Sequence, residues 1–174
     1  MNISIAGVLV VAAVAGNRDP APASQEQKVS FEPAPLRAIA DPDTSHDGAV
    51  CLAMTLAAFG KPATVAELQP VVANEEQTAT ALGIIRAAQA RGLRASGVKI
   101  SAQNWGRLRR ADIVHLKRNT FAVVERLGRD GLHVVDPGAG PVAVSEADLS
   151  GVAILFELPG DKRFRELGVA ETPP

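Results

Sequence analysis

The fold turns on D-T-S-H-D-G-A-V-C-L-A-M-T-L-A-A-F-G, Asp43–Gly60. Polar turn formers at Asp43, Thr44 and Ser45 run into an apolar segment too long for one strand, and Gly60 supplies a helix stop. Val50, Met54, Ala57 and Ala58 share one helical face, while Cys51, Leu52, Leu56 and Phe59 fill much of the remainder. A helix that is apolar nearly all round is a buried helix. The reading is therefore a central core helix opening at Asp47-Gly48, with the Asp47 carboxylate capping its free N–H groups at the positive end of the dipole.

Downstream, Thr64-x-x-Glu67 has capping-box form and starts a short helix limited by Pro70. Thr78 or Thr80 starts the next helix, with Leu82, Ile85, Ala88 and Gln89 as its inner face flanked by Ala81 and Ile84, and Gly92 ends it. Strand patterns follow at 93–100, 112–116, 121–127, 132–135, 142–144 and 151–158, with a hairpin signal at Gly128–Gly131. Between the first two strands, 103–110 reads as an irregular turn anchored by Trp105. Helices first and antiparallel strands after give an α+β domain.

The quoted stretch resembles the papain-like cysteine peptidase domain of bacteriocin-processing ABC transporters, which cut leader peptides after a double glycine. Members typically read D-C-G-A-A-C-L-A-M followed by G-K; here the row is H-D-G-A-V-C-L-A-M and then F-G-K. The resemblance extends over about residues 40–158. T-V-A-E-L-Q (64–69) and A-T-A-L-G-I-I-R-A-A-Q-A-R-G-L-R-A (79–95) look like the family's next two helices and following strand. I-V-H-L-K-R-N-T-F-A-V-V-E-R-L (113–127) looks like its strand pair, and H-V-V-D-P-G-A-G (133–140) like its V-x-D-P turn. The resemblance implies a papain-like fold of N-terminal helices on an antiparallel sheet. It also implies departures at the chemistry. The family's nucleophilic Cys falls on Asp47 and its general-base His on Thr120, whereas the orienting Asp is kept as Asp136. The family's oxyanion Gln has no counterpart, because no Gln occurs between Gln27 and Gln69.

Each remaining candidate has a plain reading. Cys51, one helical turn beyond Asp47, is a packing thiol with a raised pKa. His115 matches a non-catalytic strand His of the family, His133 alternates within a strand, and His46 adjoins Asp47. Asp136 before Pro137-Gly138 is a turn former, and Gly138 and Gly140 are turn glycines. An aspartyl nucleophile at Asp47 would lack a base, since Thr120 has no useful pKa. His46, Asp47, Gly48, Asn119, Thr120 and Asp136 remain as binding or capping positions.

Charge is balanced, 18 basic against 19 acidic residues, so no nucleic-acid partner is expected, and R-L-R-R at 107–110 reads as a solvated cluster. One Cys excludes an intramolecular disulfide and a Cys-rich zinc site, and no cofactor or metal is expected. Aromatic residues are scarce, as a GC-rich bacterial genome would produce.

The chain divides into a charge-free run at 1–16, a Pro/Ala-rich tether at 17–35, the domain at 36–159 and a polar tail at 160–174 with a helical turn at Arg163–Leu167. The run Ile3–Gly16 would span about 21 Å as a helix, short of a ~30 Å hydrocarbon core. Ala13-Val14-Ala15 also has the form of a signal cleavage site. The expectation is a retained membrane anchor, with Ala6, Gly7, Ala12, Ala13 and Ala15 packing against a neighbouring transmembrane helix. The domain would then be extracytoplasmic; the alternative is secretion after cleavage at Ala15. The functional expectation is a non-catalytic, membrane-tethered, peptidase-like domain that binds a peptide or protein, its partners being membrane-complex subunits. The alternatives are a structural accessory subunit and an enzyme with an unrecognised nucleophile.

Overall fold

Helix α1, Asp47–Ala58, lies at the centre of the computed structural model, which describes residues 31–41, 46–74 and 78–173. Every α1 residue except Ala57 is buried, as its all-round apolar sequence requires. Phe59 and Gly60 close it with bonds back to the last-turn carbonyls, Gly60 at φ +71°. Helix α2, Val65–Val72, begins with the expected capping box: the Thr64 Oγ1 accepts from Glu67 N–H and the Glu67 carboxylate accepts from Thr64 N–H. Pro70 does not limit it. The helix runs through Pro70 for two more residues. Helix α3, Ala81–Ala90, is capped by Thr80, whose Oγ1 accepts from Gly83 N–H at 3.0 Å.

The inner face of α3 differs from the expectation. Ile84, Ile85, Ala87 and Ala88 are buried, and Leu82 is exposed. Ala81 and Ile84 pack inward with Ile85 and Ala88, so the buried stripe is rotated away from Leu82 by about one residue.

Six strands follow: β1 Arg94–Lys99, β2 Ile113–Leu116, β3 Phe121–Gly128, β4 Gly131–Asp136, β5 Gly140–Val144 and β6 Leu149–Glu157. They form one antiparallel sheet in the order β1-β6-β2-β3-β4-β5. Both faces are covered, and the period of two shows it directly. On one side Phe121, Val123, Ile154 and Phe156 meet α1, α2 and α3. On the other, Ala122, Val124, Ala153 and Leu155 meet a second cluster containing Leu108, Leu149 and Phe164, with Trp105 packed against it. Trp105 belongs to the 3₁₀ segment Ala102–Arg107, as its anchoring role anticipated.

The second cluster corrects the reading of 160–174 as a polar tail. Helix α4, Arg163–Leu167, carries Phe164 into that core at 1% exposure. The Arg163 guanidinium forms a bidentate pair with buried Asp112. Beyond α4, residues 170–172 lie along β1. The tether boundary moves as well. Phe31 stacks on Phe59 with ring centroids 5.4 Å apart, Pro33 is buried, and Ala34 N–H donates to Ala58 C=O. Residues 31–35 thus pack on the domain rather than tethering it. Arg109 ties both flanks together, donating to Phe31 C=O, Phe156 C=O and Asp161 Oδ2. Residues 3–16, including Ala6, Gly7, Ala12, Ala13 and Ala15, lie outside the described residues; among those described, no helix is long and apolar enough to cross a membrane.

Candidate functional site

The site sits where the N-terminus of α1 meets the start of β3. Asp47 is not the N-cap. His46 holds that place and makes no side-chain cap bond, while Asp47 is the first helical residue. Its carboxylate turns across the helix start instead. Oδ1 accepts from Gly48 N–H at 2.6 Å, and Oδ2 accepts from Phe121 N–H at 2.6 Å. One oxygen therefore serves the helix and the other the first residue of β3, which joins the helical layer to the sheet. This bond links residues 74 apart in sequence, and no local capping rule could have foreseen it.

Burial also governs the titration of Asp47. Asp47 is 6% exposed, and desolvation pushes its pKa above the ordinary carboxylate value. The two backbone N–H groups and the field of His115 pull the other way, and Asp41 adds to the rise.

Gly48 is a packing glycine. A Cβ placed on it would come within 2.4 Å of Ala79 Cβ and 3.3 Å of Ile84 Cδ1. Cys51 is fully buried, and desolvation followed by the negative charge of Asp47 pushes its thiol well above the ordinary value. That agrees with an inert packing thiol.

Thr120 and Asp136 are brought together by a residue the sequence reading passed over. Lys117, Arg118 and Asn119 form the β2–β3 turn, closed by Asn119 N–H to Leu116 C=O and Leu116 N–H to Thr120 C=O. Asn119 takes φ +63°, a left-handed conformation that Asn tolerates. Arg118 reaches back from this turn. Its Nε donates to Thr120 Oγ1 at 3.0 Å, and its Nη2 pairs with Asp136 Oδ2. Asp136 is buried, and its other oxygen accepts from Gly138 and Ala139 N–H, the turn role expected of it. The signal for Arg118 was its position two residues before Thr120 in a tight turn.

The three histidines are dispersed. His46 N–H donates to Asp41 Oδ2 at 3.2 Å. The His115 ring packs on Phe121 and its Nδ1 meets Ser150 Oγ. His133 Nε2 meets Asp130 Oδ1 at 2.8 Å. Among the described residues no group of three His, Cys, Asp or Glu side chains could hold a metal ion.

A buried helix whose N-terminus abuts one strand of an antiparallel sheet, with a V-x-D-P turn on the neighbouring strand, is the papain-like arrangement. The chain belongs to the Peptidase C39 family, whose model matches residues 37–157. An uncharacterised protein of Methanothermobacter thermautotrophicus is 31% identical over 121 residues, covering 66% of this chain and 83% of that one. Two solved structures share the fold. A double-glycine-motif protease from an AMS/PCAT transporter, in complex with the leader peptide, superposes with a TM-score of 0.65 at 21% identity, covering 75% of this chain and 97% of that one. The peptidase domain of Streptococcus ComA, a bifunctional ABC transporter of a quorum-sensing pathway, gives 0.64 at 24%, covering 71% and 99%.

Proposed function

We propose that this chain is a non-catalytic Peptidase C39-like domain that binds a peptide or protein partner. The observation that carries the reading is the state of Asp47. It stands where the family resemblance places a nucleophilic thiol, and both its oxygens accept backbone N–H groups in a buried junction. Such a carboxylate is engaged in holding the helix start to β3 and lacks the nucleophilicity of a thiolate. At the position of the general base, Thr120 is bonded to Arg118, and Asp136 is occupied by the same guanidinium. Cys51 is buried one turn away with a raised pKa. Peptide binding is supported by the related fold crystallised with a leader peptide.

The test combines cleavage and binding. The full chain is incubated with a synthetic double-glycine leader peptide and the products are weighed by mass spectrometry. No cleavage is expected, from the wild type or from Asp47→Cys, because Thr120 cannot deprotonate the new thiol. Specific cleavage abolished by Cys51→Ser overturns the reading. Saturable binding of the same peptide by fluorescence anisotropy is expected; its absence favours the second reading, a structural accessory subunit. That second reading has its own support, since the Asp47–Phe121 bond welds together the two layers between which a cleft would open.

The charge-free run at 3–16 is the reason to place the domain on a membrane. Intact mass of native material tests this: a chain starting at Gly16 means a cleaved signal and an exported protein.

A further inference from the structure

The segment after β6 is attached in two different ways. Its first half is fixed into the core: Arg163 pairs with buried Asp112, the Phe164 ring is buried, and Phe164 N–H donates to Glu157 Oε2 at 2.8 Å. Gly168 then turns the chain at φ +64°. The second half lies along β1, which is an edge strand and pairs within the sheet only with β6. This segment lies outside residues 37–157, which the family model matches.

The second half meets β1 through one main-chain bond and several side-chain bonds. Thr172 N–H donates to Ala95 C=O at 3.0 Å, and Gly97 N–H donates to Thr172 Oγ1 at 3.0 Å. Ser96 Oγ donates to Ala170 C=O at 2.6 Å. Arg94 Nε donates to Glu171 Oε2 at 3.1 Å, and Gln89 Nε2 donates to Thr172 C=O at 2.6 Å. Ala170 and Glu171 are exposed. Main-chain bonds to a sheet edge, with side chains reading alternate residues, are how extended peptides are recognised. One group in this seat is unanswered. Among the described residues, Gln89 Oε1 is buried without a hydrogen-bond partner. The two residues after Thr172 are prolines, which have no N–H to give it.

We propose that the outer edge of β1, with Gln89, Arg94 and Ser96, is a binding site for an extended peptide bearing an acidic residue, held in cis by the chain's own residues 169–173. The acidic residue pairs with Arg94. The residue two beyond it is better not a proline, because an N–H there can meet Gln89 Oε1. A tethered segment competes at an effective concentration near millimolar, so a partner peptide engages only when it outcompetes the tail or the tail is drawn away. The site lies at the β1 edge of the sheet, away from the β2–β3 turn that carries Arg118, and is independent of the state of Asp47.

The experiment uses the full chain as wild type and as a double variant, Glu171→Ala with Thr172→Pro, which removes the acid and the N–H that hold the tail. The probe is a fluorescein-labelled peptide, G-V-A-E-T-A-P. The double variant is expected to bind it about tenfold or more tightly than wild type, and replacing the peptide's Glu with Ala is expected to weaken binding about fivefold or more. A folded double variant with no saturable binding overturns the proposal, and so does a double variant that fails to fold, because the tail is then integral. Hydrogen exchange on the wild type gives a second reading that needs no variant. The Thr172 amide is expected to exchange about tenfold or more faster than that of Ile154 in β6. Equal protection overturns a displaceable tail.

Discussion

Asp47 and Asp112 are both buried carboxylates, and the protein satisfies them in opposite ways. Asp112 is fully buried and clamped by the Arg163 guanidinium, with Arg109 N–H at 2.8 Å and Phe156 N–H at 3.2 Å completing its shell. Asp47 is bonded by two backbone N–H groups, and among the described residues no guanidinium clamps it. At Asp47 burial outweighs the two N–H groups, and the pKa rises. A charge in the core is tolerable either with a counter-ion or with enough oriented dipoles, but the second solution leaves the charge under strain. Asp112 secures the C-terminal helix to the sheet, whereas Asp47 secures the helical layer to β3 at the position where the family's chemistry would stand.

Breaking the clamped site should cost most. Arg163→Ala strands the Asp112 charge and frees the Arg107 carbonyl that Arg163 also serves, while Phe156 C=O keeps its bond from Arg109. A loss of about 3–5 kcal/mol in urea unfolding is expected; a shift below about 1 kcal/mol would show that water replaces the guanidinium. At the unclamped site, Asp47→Ala leaves the Phe121 and Gly48 N–H groups without acceptors, at about 1–3 kcal/mol. Gly48→Ala acts on the same junction sterically, because the new methyl meets Ala79 at 2.4 Å. About 1–3 kcal/mol of overpacking is expected, and a neutral urea midpoint would mean that the segment carrying Ala79 yields freely.

Most of the frame was legible in the sequence for physical reasons that are local. The all-round apolar row of 49–56, the Thr64-x-x-Glu67 box and the hairpin signal at Gly128–Gly131 are short-range patterns, and all of them hold. What was not legible depends on pairs far apart in the chain. Arg163 looks like one charge in a polar run until Asp112, 51 residues earlier, is placed beside it. Phe164 was hidden for the same reason, as a lone aromatic among charges gives no periodic signal. At the site, the position of Asp47 was readable but its partner was not, because Phe121 N–H is a main-chain group that carries no sequence signature. Arg118 was overlooked because a basic residue in a turn is ordinarily solvated, and only the fold brings Asp136 within its reach.

The smallest expected effect sharpens the comparison most, because it turns on sign. The folded-state pKa of Asp47 lies above its ordinary value, with burial as the leading cause. The folded protein therefore takes up a proton at Asp47 at a pH where the unfolded chain does not. By linkage, this group's contribution to stability rises as pH falls through the folded pKa, and the gain is complete below the unfolded value near 3.8. Asp47→Asn has no such proton to take up. The stability difference between wild type and Asp47→Asn should accordingly grow in favour of wild type between neutral pH and about pH 4. A carboxylate with a depressed folded-state pKa behaves in reverse: its advantage is present at neutral pH and fades on acidification. Urea midpoints of the two proteins across that range decide the matter. A difference that shrinks toward acid would show that the Phe121 and Gly48 N–H groups outweigh burial at Asp47.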